Sequence, residues 1–194
     1  MQFKRMFTTD AYKGTRGYLR TQKNYEILRT ALYFAISLSL FIAGWVSTGS
    51  RENLLTIVAV LGCLPACKSL VEMFMFLRYK GCDEKDAAQI AAHIGGLSGL
   101  YDMVFTSYEK NYVIHHLTVC GNTVCGYTTD PKFAEQAFYK HIQDILKKDN
   151  YREVSVKIFN DLDKYLKRCE QLKELPAQPE LSAGICQTLK SVSL

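Results

Sequence analysis

Two histidines and two cysteines lie close together in the sequence, at His115, His116, Cys120 and Cys125. Imidazole nitrogens and thiolates are ligands that Zn²⁺ prefers, and a thiol beside a histidine can also act as a nucleophile. Because successive side chains of a strand point to opposite faces, the two adjacent histidines should diverge. Cys120 and Cys125, joined by a turn at Gly121-Asn122, should instead share one face as diagonal neighbours.

The same alternation predicts which of these residues could act together. It groups His115 with Val113, Leu117 and Val119, and His116 with Ile114, Thr118 and Cys120. The candidate metal-ligand cluster is therefore His116, Cys120 and Cys125. No third group can be named that would orient a Cys–His pair for catalysis. We favour the competing interpretation, in which all of these are ordinary half-buried strand residues.

Known catalytic motifs are missing from the chain. None of the patterns GxGxxG, GxxxxGK[ST], HExxH and GxSxG occurs. We therefore expect no catalytic residue, no cofactor and no metal ion, and an enzyme is less favoured than a binding protein. The 7 cysteines are odd in number and lack the spacing of a disulfide framework, which favours a reducing, cytoplasmic environment.

Lys68 and Glu72 form a second candidate pair, because they interrupt an otherwise apolar stretch at a spacing of i, i+4. On a helix both side chains lie on one face, where they can neutralise each other while Lys68 reaches toward a membrane boundary. We favour this interpretation. In the alternative, the pair faces a partner helix or lines a water-filled path, as ionisable groups inside membranes often do.

The apolar residues of the chain are concentrated in two stretches. Thr30 to Thr48 contains no charged residue, and its 19 residues span about 28 Å as a helix, enough to cross a bilayer. A short polar link leads to a second stretch from Leu54 to Leu77, in which Pro65 predicts a kink. We expect a transmembrane helical hairpin. A cleaved signal peptide is the weaker alternative, because the second apolar stretch follows at once.

Charge around these stretches predicts the orientation. The first 29 residues hold seven basic and two acidic residues, which accounts for the whole formal net charge of +5. Basic residues also follow the second stretch, at Arg78, Lys80 and Lys85, whereas the link carries only Arg51. The positive-inside rule therefore places both termini in the cytoplasm. With its excess charge explained in this way, the chain is not expected to bind nucleic acid.

After Gly81 the apolar runs give way to short elements of alternating pattern. The sequence predicts a helix capped by Asp83, three antiparallel strands, a helix begun by Asp130-Pro131, a fourth strand and a helix capped at Asn160-Asp161. The three strands are predicted at Leu100 to Ser107, Tyr112 to Cys120 and Thr123 to Thr129. The result is a membrane-anchored α/β protein whose soluble part has the order αβββαβα in two layers.

This element order resembles the core of restriction-endonuclease-like domains over about half of the chain. The resemblance implies a metal-dependent nuclease fold, in which acidic residues on the second and third strands hold a hard metal ion. Here the strands Tyr112 to Cys120 and Thr123 to Thr129 contain no Asp, Glu or Lys. If the fold is of this type, its metal site is therefore missing.

The predicted organisation has four parts: a basic juxtamembrane segment over residues 1–29, the hairpin over 30–80, a cytoplasmic α/β domain over 81–175 and a flexible tail over 176–194. Within the tail, Leu181, Ile185, Leu189 and Val192 could alternatively form a short docking helix. We expect a membrane-anchored binding or assembly module, whose partners are the lipid bilayer and a protein partner or homo-oligomer. An oligomeric pore is the first alternative. A degenerate nuclease-like or thiol enzyme is the second.

Overall fold

The computed structural model describes residues 12–50, 52–108, 110–176 and 178–194. The first eleven residues of the predicted basic segment, the link residue Arg51 and the turn residue Glu109 lie outside this description. The chain divides into two compact units. One contains Leu19–Lys80, and the other contains residues 12–18 together with Gly81–Leu194.

The first unit is a hairpin of two long apolar helices, α1 (Tyr18–Thr48) and α2 (Leu54–Arg78). Asn53 caps α2, because its side chain accepts a hydrogen bond from the amide of Thr56 at 2.9 Å. Both predicted spans lie inside these helices. Residues 18–29, ahead of the first predicted span, belong to the same helix α1.

Small residues let the two hairpin helices pack closely. A Cβ atom at Gly62 would lie 2.8 Å from Oγ of Ser37, and one at Gly44 would lie 2.8 Å from Cβ of Leu55. Ala59 and Ala66 are buried on the same helix as Gly62. Close backbone approach through Gly, Ala and Ser is typical of helices that associate in lipid, where burying larger apolar groups gives little driving force.

The second unit holds a mixed four-stranded sheet with helices. Its elements are α3 (Glu84–Ile94), β1 (Ser98–Thr106), β2 (Asn111–Cys120), β3 (Thr123–Tyr127), α4 (Glu135–Lys148), β4 (Ser155–Phe159), α5 (Leu162–Lys173) and α6 (Pro179–Val192). The strand order is β1-β2-β3-β4. The pairs β1–β2 and β2–β3 are antiparallel, whereas β4 runs parallel to β3.

Helices cover both faces of this sheet, so the predicted two-layer arrangement is wrong. On one face, α4 and α6 pack on Ile114, Val124 and Ile158. On the other, α3 and α5 pack on Cys120, Cys125 and Tyr127. The central strands β2 and β3 are buried at nearly every position, because a sheet covered on both faces has no solvent side.

The side-chain alternation of β1 and β2 shifts by one residue where Asp102 lies opposite His115. Asp102 has a left-handed backbone, with φ of 55°, and its Oδ1 accepts a hydrogen bond from the amide of Cys82 at 2.7 Å. Ile114 and Leu117, three positions apart, consequently lie in the same core. The predicted grouping of Ile114 with His116 and of Leu117 with His115 is therefore wrong.

Two further expectations need correction. Asp130 does not begin a helix: its side chain accepts from the amide of Lys132 in a tight turn, and α4 begins at Glu135. This turn places Phe133 against the core.

Residues 179–192 are not a flexible tail, because α6 buries Ile185, Cys186 and Leu189 on the sheet. The apolar spacing of this segment is helical, and the sheet needs a cover there.

Stability measurements can test whether α6 is part of the core. Ile185→Ala should lower the free energy of unfolding by about 2 to 4 kcal/mol, because it leaves a cavity under a fully buried side chain. Gln187→Ala, at an exposed position of the same helix, should change it by less than about 0.5 kcal/mol. Urea unfolding of the detergent-solubilised chain, followed by near-ultraviolet circular dichroism, gives both values. Equal effects of the two substitutions would contradict the docking of α6.

Candidate functional site

The candidate ligand residues lie in a buried polar layer between the sheet and α5. Nδ1 of His116 and the hydroxyl of Tyr165 are 2.5 Å apart, and that hydroxyl is 2.6 Å from Oγ1 of Thr118. Oγ1 of Thr118 also lies 3.6 Å from Sγ of Cys169. These four side chains, from β2 and α5, are buried and form one hydrogen-bonded group.

Both adjacent histidines lie on this side of the sheet. The ring centroid of His115 is 6.1 Å from that of Tyr127, and the ring of His116 contacts Tyr165, both members of the core formed with α3 and α5. The expectation that they diverge is wrong, because the shift at Asp102 interrupts the alternation of β2. Nε2 of His115 is 2.8 Å from Oγ1 of Thr129.

Burial keeps these groups uncharged. It lowers the pKa of His116 to about 3 and raises the pKa of Tyr165 well above its usual range. Burial also raises the pKa of the Cys125 thiol to about 11 and that of Cys169 above its ordinary value. Because the imidazole is neutral and the thiols are protonated, the layer contains no thiolate of the kind that nucleophilic catalysis requires. The layer acts as a hydrogen-bonded core element.

The three candidate ligands are engaged separately. Cys120 and Cys125 are diagonal neighbours, because Thr118 pairs with Cys125 and Cys120 with Thr123, as the sequence predicts. Sγ of Cys120, however, donates to the carbonyl of Leu172, and His116 is bonded to Tyr165. Within the part of the chain that the structure describes, no group of three or more His, Cys, Asp or Glu side chains could hold a metal ion.

A second polar group joins α1 to α2 in the hairpin. Lys68 Nζ lies 3.9 Å from Glu72 Oε1, but 80% of the lysine side chain is exposed. The closer partner of Glu72 is Arg29 on α1, which also pairs with Glu26. Nε of Arg29 donates to Oγ of Ser69 at 3.2 Å. One guanidinium therefore bridges two carboxylates from different helices.

Hydrogen bonds extend this group on both sides of Arg29. Nε2 of Gln22 donates to Oε1 of Glu26 at 2.8 Å, and the hydroxyls of Thr30 and Ser69 are 2.8 Å apart. We call these residues the hairpin polar cluster: Gln22, Glu26, Arg29, Thr30, Ser69 and Glu72. From the sequence alone, Arg29 and Glu26 are counted only among the charges that predict the orientation. Their i, i+3 spacing ahead of an apolar span was the signal that could have found them.

A groove beside β4 is lined by basic side chains that were not identified as a cluster from the sequence. It has a volume of about 440 Å³ and is lined by Lys157, Phe159, Lys164, Lys167, Arg168 and Gln171. No carboxylate belongs to this lining, and the nearby Asp161 lies 3.8 Å from Lys164. We call it the basic groove. Residues 155–175 hold five basic and four acidic residues, so the net charge of this part of the sequence does not indicate the groove.

Comparisons with protein families, with curated proteins and with solved structures find no match for this chain. The likeness to restriction-endonuclease-like domains thus stays a likeness of element order. The side chains themselves are therefore the basis for inferring the function. The hairpin polar cluster and the basic groove contain charged side chains, whereas the buried layer contains none.

The neutral state of His116 predicts a pH dependence of stability. The unfolded chain binds a proton at His116 below about pH 6.5, whereas the folded chain does not until about pH 3. Stability should therefore fall by roughly 1.4 kcal/mol per pH unit as the pH drops from about 6.5 to 4.5. In His116→Phe this part of the pH dependence should disappear.

Urea unfolding at pH 7 and pH 4.5 measures the difference between parent and variant. His93→Gln, at a histidine of α3 whose side chain is 42% exposed, is the matched control and should keep the slope of the parent. His115 contributes to the slope in all three proteins, since burial lowers its pKa as well. An unchanged slope in His116→Phe would mean that His116 is accessible to protons in the folded chain.

The hairpin polar cluster predicts which substitution weakens the hairpin. Arg29→Leu removes the shared cation from Glu26 and Glu72, so the free energy of unfolding should fall by about 2 to 3 kcal/mol. Arg29→Leu with Glu72→Leu should recover part of this loss. Lys68→Leu, at an exposed position outside the cluster, should cost less than about 0.5 kcal/mol. Denaturation in mild detergent ranks the three variants, and a larger loss for Lys68→Leu would reverse the assignment.

Proposed function

We propose that this chain is a membrane-anchored binding module. In this proposal α1 and α2 cross the bilayer as a hairpin, both ends face the cytoplasm, and the α/β unit binds a protein partner there or assembles with further copies. The hairpin holds the chain at the membrane, and the α/β unit recognises the partner.

Exposed apolar surface on the hairpin carries the proposal. Both helices are long and apolar enough to span a membrane, and only 17% of the apolar window of each is buried. Large side chains stand fully outward, including Val46 at 78% and Leu64 at 68% exposure. A core helix of a water-soluble protein would bury such residues, whereas lipid tails solvate them.

The arrangement of polar groups in the hairpin supports the anchor. The charges of Glu26, Arg29 and Glu72 meet between the helices, where each carboxylate has a cationic partner. The link after α1 is polar, and Trp45 stands near it, at the depth that amphipathic rings prefer. The basic residues ahead of α1 and after α2 favour the cytoplasmic side for both ends.

Binding is favoured over catalysis because the histidine and cysteine side chains of the buried layer are neutral.

A pore is the second candidate, and the exposed Lys68 is the observation that favours it. A pore requires a ring of copies. The mass of the detergent-solubilised particle, measured by light scattering, distinguishes a ring from a monomer or dimer.

Cysteine labelling tests the orientation. With an impermeant maleimide added to intact cells, Ser50→Cys in the link should be labelled, and Ser191→Cys on α6 should be labelled only after permeabilisation. The reason is that the positive-inside rule leaves only the link outside. The parent chain, with its own cysteines, gives the background. The opposite pattern would reverse the orientation, and release of the chain from membranes by alkaline carbonate would refute the anchor.

A further inference from the structure

The two outer strands of the sheet differ in how their edges are covered. The amide of Tyr101 on β1 donates to the carbonyl of Gly14, and the amide of Leu194 donates to the carbonyl of Val104, both at 2.9 Å. Chain segments on that side thus bond to part of the outer edge of β1. At the other end of the strand order lies β4, whose single neighbour is β3.

The outer edge of β4 presents backbone groups that are open to a further strand. The amide of Ser155 donates to the carbonyl of Asn122, and the carbonyl of Phe159 accepts from Thr128, so these residues turn their backbone groups toward β3. Because the direction alternates along a strand, the N–H and C=O of Val156 and Ile158 point outward. Among the described residues, no backbone hydrogen bond from another segment reaches them.

The basic groove lies along this open edge, on the face that α5 covers. Val156 and Ile158 point into the opposite core, so Lys157 and Phe159 project on the side of α5. Lys164, Lys167, Arg168 and Gln171 follow one stripe of α5 at a spacing that covers about 10 Å along the helix axis. Four cations therefore flank the position that an added strand would occupy.

We propose that the β4 edge binds an extended acidic segment of a partner protein by strand addition. This proposal rests on the proposed function of the chain as a binding module. The segment hydrogen-bonds to the backbone of Val156 and Ile158. Its side chains alternate between faces, so every second residue meets the basic groove. Asp or Glu at those positions pairs with the lysines and Arg168, and the intervening positions lie toward the α4 side.

Other occupants fit this edge less well. In a second copy of β4, Ser155–Phe159 would bring another Lys157 and no carboxylate, and like charges side by side repel. Single-stranded nucleic acid needs aromatic platforms for its bases. The groove offers one half-buried ring, Phe159, with the Lys157 amine 5.5 Å from its centroid.

Fluorescence anisotropy with the full chain in detergent micelles tests the proposal. The probe is a labelled ten-residue peptide that alternates glutamate and valine, at about 0.05 M salt so that charges are weakly screened. We expect saturable binding. Lys164→Gln with Lys167→Gln should weaken it at least tenfold, whereas Lys140→Gln with Lys147→Gln, an equal charge change on exposed positions of α4, should stay within twofold of the parent.

A second peptide separates strand addition from simple charge attraction. The same sequence with N-methyl groups on every second amide keeps its charges but loses half its backbone donors, and should bind at least tenfold more weakly. Equal binding of both peptides, no saturable binding, or tighter binding of a ten-nucleotide oligothymidylate would each overturn the proposal. The measurement does not need a bilayer, so failure of the anchor, seen as release by carbonate, is recognised separately.

Discussion

The left-handed backbone at Asp102 is the constraint from which the interior of the α/β unit follows. A regular strand would send His115 and Leu117 to one face and Ile114 and His116 to the other. The shift at Asp102 instead gives one face an unbroken apolar surface for α4 and α6. Both histidines then share the side of α3 and α5, where one ring nitrogen of each bonds to a hydroxyl, that of Thr129 for His115 and that of Tyr165 for His116. The carboxylate of Asp102 holds this geometry through the amide of Cys82.

Local patterns in the sequence predicted most elements, because capping residues and apolar periodicity act over a few residues. Asp83 and Asp161 cap helices as expected, and the predicted order αβββαβα agrees from α3 to α5, after which the structure adds α6. Layers could not be predicted in this way. Whether a sheet is covered once or twice depends on contacts distant in sequence, such as α6 on β1 and β2. The parallel pairing of β4 with β3 has the same origin.

Candidate sites were harder to predict than elements, for an electrostatic reason. Lys68 and Glu72 were found because they stand out in an apolar run, but the closer partner of Glu72, Arg29, lies 43 residues away on another helix. The cations of the basic groove are hidden in a segment where acidic residues match them in number. The net charge of a segment does not show where its charges lie, whereas the fold places basic and acidic side chains on different surfaces. The histidine and cysteine cluster, conspicuous in the sequence, became a neutral part of the core.

The covering of β1 sets an order of events during synthesis. Residues 12–14 leave the ribosome before β1, but the residues that bond to Val104 and Phe105 are Leu194 and Ser193, nearly ninety positions later. From the synthesis of β1 until that of Leu194, the β1 edge of the nascent sheet is therefore incompletely closed. Such an edge pairs readily with other chains. Lys13, whose Nζ donates to the carbonyl of Ser193 at 2.9 Å, fastens the two distant segments together once both are present.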